Sequence, residues 1–255
     1  MDIDLNSDLG EGFGAYRMGD DEALLEIISS ANVACGYHAG DPVIMDRTAR
    51  LARARGVDLG AHVSFPDLMG FGRRAMQMDP QELEKHVLYQ MGALDGIARS
   101  IGSRVSHVNA HGALGNLVCT DRILAEALVR AAMAFDPRMV LLVLSNTELE
   151  HAAQRAGART ANLFLADRAY DRTGQLVSRK ISGAVITDDA MVMTRVRRVL
   201  DDRTIVTIDG SELKIEVHSI LLHSDTLGAV SLARSIRSMI EIAGGRIRPL
   251  SAIIA

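Results

Sequence analysis

Short apolar runs recur along the chain, and each stops at a cluster of polar residues. They cover residues 1–6, 31–36, 57–61, 105–108, 139–144, 158–165 and 220–222. Their length and apolar content predict buried strands. Between them lie stretches with apolar residues at helical spacing, as in Ala23, Leu24, Leu25, Ile27 and Ile28. Asp20, Thr120 and Asp188 are predicted helix caps, and 147–155 is predicted helical. Asp41-Pro42 and Asp79-Pro80 place a cap before a proline at the first helical position. Gly56 and Gly157 predict helix ends, and a closing helix is expected over 227–243. Residues 204–208 and 212–217 flank Asp209-Gly210, which predicts a hairpin.

The count is seven strand-then-helix units plus that hairpin, with no linker or repeat between them. Strict alternation implies a parallel sheet with right-handed crossovers. Seven units approach closure, so the expected fold is α/β, a distorted (β/α)7 TIM-like barrel, as one domain over 1–255.

The polar clusters then acquire meaning. Asp4, Asn6 and Asp8, then His38, His62, His111 and His223, are read at the ends of successive strands, the mouth where parallel α/β proteins carry their chemistry. Neutral imidazoles there can bind a divalent metal or carry a proton, and Asp8 and Glu11 add carboxylates. His86 and His151 read as helix surface, and His107 and His218 take no role. Gly10 to Ala15 superficially fits a dinucleotide loop, but Asp8 and Glu11 would repel a pyrophosphate. A tight loop across the mouth fits better. Arg73-Arg74 and Asp167-Arg168 are either anion clamps or local charge pairs. Cys35 reads as a small core residue.

The chain has 255 residues and a net charge of -4, which gives no footprint for nucleic acid or an anionic membrane surface. Two cysteines make no disulfide framework, Asp2 and Asp4 disfavour a signal peptide, and no apolar run reaches membrane-span length. A cytoplasmic, reduced protein is expected.

Several long motifs, in order from the first residues to nearly the last, resemble the LamB/YcsF family. They include 4–14, 30–42, Gly60-Ala61-His62, Gly70-Phe71-Gly72-Arg73-Arg74, His111-Gly112-Ala113-Leu114, Ala166 to Tyr170 and Ser219 to Asp225. The resemblance implies the barrel inferred above, similar to sugar and polysaccharide deacetylase folds. It also implies ATP-dependent opening of the 5-oxoproline lactam to glutamate, with 5-oxoprolinase subunits B and C as partners. The chain departs from the family pattern at Ser7, Asn109-Ala110, Gly115, Leu163 and Ser224, where the family has Cys, Lys-Pro, Tyr, Glu and Gly. Set beside that pattern, the catalytic candidates are Asp8, Glu11, His111 and Asp225. Substrate-binding candidates are Asn6, Asn32, Arg73, Arg74, Asp167, Arg168 and His223. Metal candidates are Asp8, His38, His62 and His111. A metal-dependent deacetylase or amidohydrolase without ATP, or a non-catalytic subunit that binds partners, are the competing readings. A homo-oligomer stays among the candidate assemblies.

Overall fold

The computed structural model describes residues 1–254 except Leu227. Six parallel strands come first: β1 (Asp2–Leu9), β2 (Ser30–Ala34), β3 (Asp58–Val63), β4 (Val105–Ala110), β5 (Val140–Val143) and β6 (Arg159–Leu165). β7 (Thr204–Val206) and β8 (Glu212–Lys214) form an antiparallel hairpin apart from the sheet. β9 (Ser219–Leu222) then pairs in parallel with both β6 and β1, which closes a seven-stranded barrel. The expected (β/α)7 barrel is therefore the observed fold. A short β10 (Arg246–Ile247) adds to the start of β1.

The helices are α1 (Asp21–Leu25), α2 (Pro42–Arg55), α3 (Pro80–Ser100), α4 (Gly112–Val118), α5 (Arg122–Phe135), α6 (Glu148–Ala156), α7 (Asp189–Asp202), α8 (Ala229–Ile242) and α9 (Leu250–Ile253). The sequence rules operate openly in α3. Asp79 accepts from the Gln81 and Glu82 amides, Pro80 opens the helix, and Leu83, Val87, Met91, Leu94 and Ala98 form one fully buried stripe. Asp41 caps α2 in the same way, and Gly56 ends it in the left-handed conformation.

The observed boundaries differ where polar residues face inward. β1 runs to Leu9, β3 to Val63 and β4 to Ala110, so Asp8, His62 and Asn109 lie within strands rather than beyond them. Asp4 is not at the mouth. It sits toward the opposite, amino-terminal end, accepting from Ser29 and Ser219. The cap before α5 is Asp121, not Thr120, because α4 precedes it. The expected start of the closing helix, Leu227, lies outside the described residues; α8 is observed from Ala229. Among the described residues, no helix is long and apolar enough to cross a membrane.

Candidate functional site

At the carboxyl end of the barrel, Glu11, His38, His62 and His111 each offer a ligand atom, and these atoms lie within 4.8 Å of one another. All four residues are buried. Three different loops and one strand deliver them. Glu11 rides the glycine loop after β1, held where Gly40 N–H donates to Gly12 O at 2.7 Å and Gly14 N–H donates to the α2 cap Asp41 at 2.8 Å. That loop places a carboxylate in the cluster. His38 follows β2, His62 is in β3, and His111 follows β4.

The rings are tightly organised. His38 and His111 stack at 3.8 Å with planes 7° apart, and His62 meets His111 edge-on. His38 Nε2 lies 3.3 Å from Glu11 Oε1, while its buried Nδ1 has no partner. The His62 Nδ1–H donates to Asn109 O at 3.2 Å, and the His111 Nε2–H donates to Phe71 O at 2.9 Å.

The loop from Ser64 to Arg74 covers this cluster. Gln90 of α3 anchors its start, accepting from Ser64 N–H at 2.9 Å and donating to Ser64 O at 3.0 Å. Phe71 sits at φ 53°, a left-handed conformation rare outside glycine, and its ring meets His38 and His111 edge-on. Gly72, at φ 64°, has no room for a side chain: a Cβ would stand 2.8 Å from both His38 and His111. The loop closes on Asp67, which accepts from the Gly70 amide and the Arg74 side chain.

Burial sets the charge states. It pushes Glu11 up to about 8, with the Asp8 charge adding to the effect. Burial alone would raise Asp8 as well, but the His62 imidazole outweighs it and holds Asp8 below the usual carboxylate range. Burial holds His38 and His111 well below the ordinary histidine value, and the neighbouring imidazoles reinforce this. In His62 burial is overcome by Asp8, and the net shift is upward. The two carboxylates therefore diverge: Asp8 is ionised at neutral pH and Glu11 is protonated.

Beneath Asp8 lies a polar relay. Asn32 Nδ2 donates to Asp8 at 2.8 Å and to Asn6 at 2.6 Å, while His107 Nε2 donates to Asn32 Oδ1 at 3.1 Å. Asn6 and Asn32, expected at the substrate, lie below the cavity and act on it through Asp8.

The cluster opens into a cavity of about 570 Å³ lined by Asp8, His62, His111, Arg73 and His223, with Arg179 and Lys180 on its cationic side. Arg73 stacks over Phe71 at 4.9 Å and pairs with Asp225 at 2.8 Å. Arg74 points elsewhere: it is committed to Asp67 and stays outside the cavity lining, because closing the covering loop takes its guanidinium. Asp167 accepts from His223 Nδ1 at 2.8 Å, and Arg179 donates to His223 Nε2 at 3.2 Å. Arg168 is buried and donates to Ala184 O and Val177 O, which anchors the segment that carries Arg179. Sequence reasoning misses Arg179 and Lys180 because their segment has no strand or helix period; their one signal is two adjacent cations in an unassigned loop. His107, given no role from sequence, orients the amide behind Asp8. His86, expected at the surface, is bonded to Tyr37 at 2.6 Å. Cys35 is buried, and burial pushes its thiol up to about 12, as befits a core residue.

A closed parallel barrel with a buried cluster of imidazoles and carboxylates at its carboxyl mouth defines the class. The chain belongs to the LamB/YcsF family, which it matches over residues 3–255. It is 56% identical over 254 residues to a Pseudomonas syringae pv. tomato protein named as a 5-oxoprolinase A subunit, covering 100% of this chain and 99% of that one. It is 52% identical over 254 residues to a protein of Bradyrhizobium diazoefficiens of the same name, with 100% of both covered. The crystal structure of a lactam utilization protein from Thermus thermophilus superposes with a TM-score of 0.92 at 40% identity, covering 98% of this chain and 100% of that one.

Proposed function

We propose that the chain is the lactam-handling subunit of an ATP-dependent 5-oxoprolinase, opening the cyclic amide of 5-oxoproline to glutamate together with subunits B and C. The observation that carries this reading is the convergence of ionised Asp8 with the histidine cluster on one cavity whose other wall is cationic. The names of its relatives supply the substrate.

A lactam carbon is a poor acceptor for water. A phosphoryl group from ATP on the lactam oxygen would make it a better one. Asp8, aimed by Asn32, takes the proton of the attacking water and returns it to the ring nitrogen as the C–N bond breaks, which leaves an acyl phosphate that a second water hydrolyses to the free carboxylate and inorganic phosphate. Arg73 and Arg179 face the anionic groups, the substrate carboxylate and the charge that develops on oxygen. Asp225 and Asp167 hold Arg73 and His223 in place.

A divalent metal fits the same site. The facing nitrogens of His62 and His111, 2.9 Å apart, and the four donors within mutual reach match the ligand chemistry of zinc. Glu11, His38, His62 and His111 would hold it, and it would supply charge stabilisation for the amide oxygen. This cluster favours the second reading, a metal-dependent amidohydrolase without ATP. Turnover of 5-oxoproline by the purified chain with its partner subunits separates the two. Glutamate formation that requires ATP and is lost in Asp8→Asn supports the first; turnover that requires zinc and ignores ATP replaces it with the second.

A further inference from the structure

The cavity has two unlike sides. β1, β3 and β4 bring Asp8, His62 and Asn109 to it, with His111 one residue beyond β4. From β5, β6 and β9, and the residue just past β5, the cavity receives aliphatic side chains, Leu142, Leu144, Leu163, Leu165 and Leu221 among them, with Arg168 and His223 at their rim beyond β6 and β9. All five are core members, with Leu142 and Leu221 almost fully covered, but three keep a strip of surface toward the cavity. Leu144, Leu163 and Leu165 keep 8%, 6% and 7% exposure, while their outward-facing neighbours Leu141 and Phe164 keep none. Water held against an aliphatic wall gains little hydrogen bonding, so such a wall favours an apolar occupant.

The volume points the same way. About 570 Å³ is several times what a five-membered lactam with one carboxylate fills. Such a ligand satisfies Asp8, the histidines and the arginines, and leaves the leucine wall untouched. We infer that the site prefers an amide carrying an apolar substituent, seated against Leu144, Leu163 and Leu165 while its carbonyl faces the histidine cluster. Ring-alkylated 5-oxoprolines belong to this class. The inference rests on the lactam reading for the ring, but the apolar preference belongs to the wall itself.

Calorimetric titration of the full chain tests it with two probe series. One is 5-oxoproline and its ring-alkylated analogues bearing methyl to butyl groups. The other is straight-chain primary amides from propanamide to octanamide. Affinity should rise about fourfold for each methylene added until the wall is covered. Leu163→Asn should flatten that slope and leave 5-oxoproline binding unchanged, while Leu163→Met, which keeps the volume and apolarity, should retain it. Lactams that bind with no dependence on alkyl length overturn the inference and leave the lactam reading standing. Straight-chain amides that bind with the slope, when no lactam binds, uphold the wall and overturn the lactam reading. Binding by neither series overturns both.

Discussion

His62 Nε2 stands 2.9 Å from His111 Nδ1, and on each ring the other nitrogen faces a carbonyl oxygen. A carbonyl only accepts, so each of those outer nitrogens carries the hydrogen. In their neutral forms the two rings therefore point lone pairs at each other. Either a proton on His62 or a cation between the rings relieves this contact, and the ionised Asp8 lies 3.5 Å from His62 Nε2 to balance the charge.

Zinc should therefore stabilise the protein. At a hundredfold excess over Kd the melting temperature should rise by roughly 5–10 °C, and chelation should reverse the rise. His111→Ala should stay folded, lose the zinc response, and lose turnover in the presence of the partner subunits. Differential scanning calorimetry with and without zinc, beside the turnover assay, checks both. Equal turnover by His111→Ala would remove the residue from the reaction.

Arg73 and Arg74 are neighbours in sequence with separate destinations. Arg73 lines the cavity, held by Phe71 and Asp225, whereas Arg74 ties Asp67 to its own loop. Arg73→Ala should lower kcat/KM for 5-oxoproline by tenfold or more, mainly through KM, because an anion partner is lost. Arg74→Ala should leave KM within about twofold, since the Arg74 guanidinium lies outside the cavity lining, and any cost should appear as lower stability because buried Asp67 loses a partner. Steady-state kinetics of the two variants makes the comparison.

The barrel is legible in the sequence because its caps and apolar runs agree. Asp41-Pro42, Asp79-Pro80 and Gly56 each do what their chemistry predicts. Strand ends are less legible. A run of apolar residues stops being apolar where the lumen turns polar, so Asp8, His62 and Asn109 look like loop although pairing continues through them. α4 is hidden because it opens on His111 and Gly112 and carries Gly115, with no side-chain cap. The histidine convergence is legible from strand order alone. Neither the aliphatic half of the lumen nor the separation of Arg74 from Arg73 is, since an inward leucine and a core leucine look alike in sequence and a guanidinium's partner is fixed only by the folded loop.

Asp4 makes stability depend on pH. It is fully buried, and burial raises its carboxyl from 3.8 to about 6, partly offset by Ser219 and Ser29. The folded state then holds a proton that the unfolded state has released between those values. Stability should fall as pH rises through this window, by ~3 kcal/mol, and level off above it. Urea denaturation of the wild type and Asp4→Asn from pH 4 to 7 isolates the effect. The difference between the two proteins should change across the window, and a constant difference would exclude Asp4 as the source.

Gly60 makes room for the relay behind Asp8. An added Cβ would lie 2.0 Å from His107 Nε2, the atom that donates to Asn32. The strand cannot yield, because Gly60 pairs with Asn32 on one side and His107 on the other. In Gly60→Ala the His107 ring must therefore turn away, which leaves Asn32 Oδ1 unpartnered and frees the amide that aims Asp8. The expected cost is ~2–4 kcal/mol of stability from overpacking and a lost buried hydrogen bond. Turnover should fall further than the folded fraction alone explains, because Asp8 is no longer fixed. His107→Ala in the Gly60→Ala background removes the clash without restoring the relay. The double variant should recover at most the overpacking part of the stability, since Asn32 Oδ1 stays unpartnered and the buried ring is gone, and should not recover turnover, as denaturation and kinetics on the same preparations would show; recovery of turnover would mean that the relay does not position Asp8.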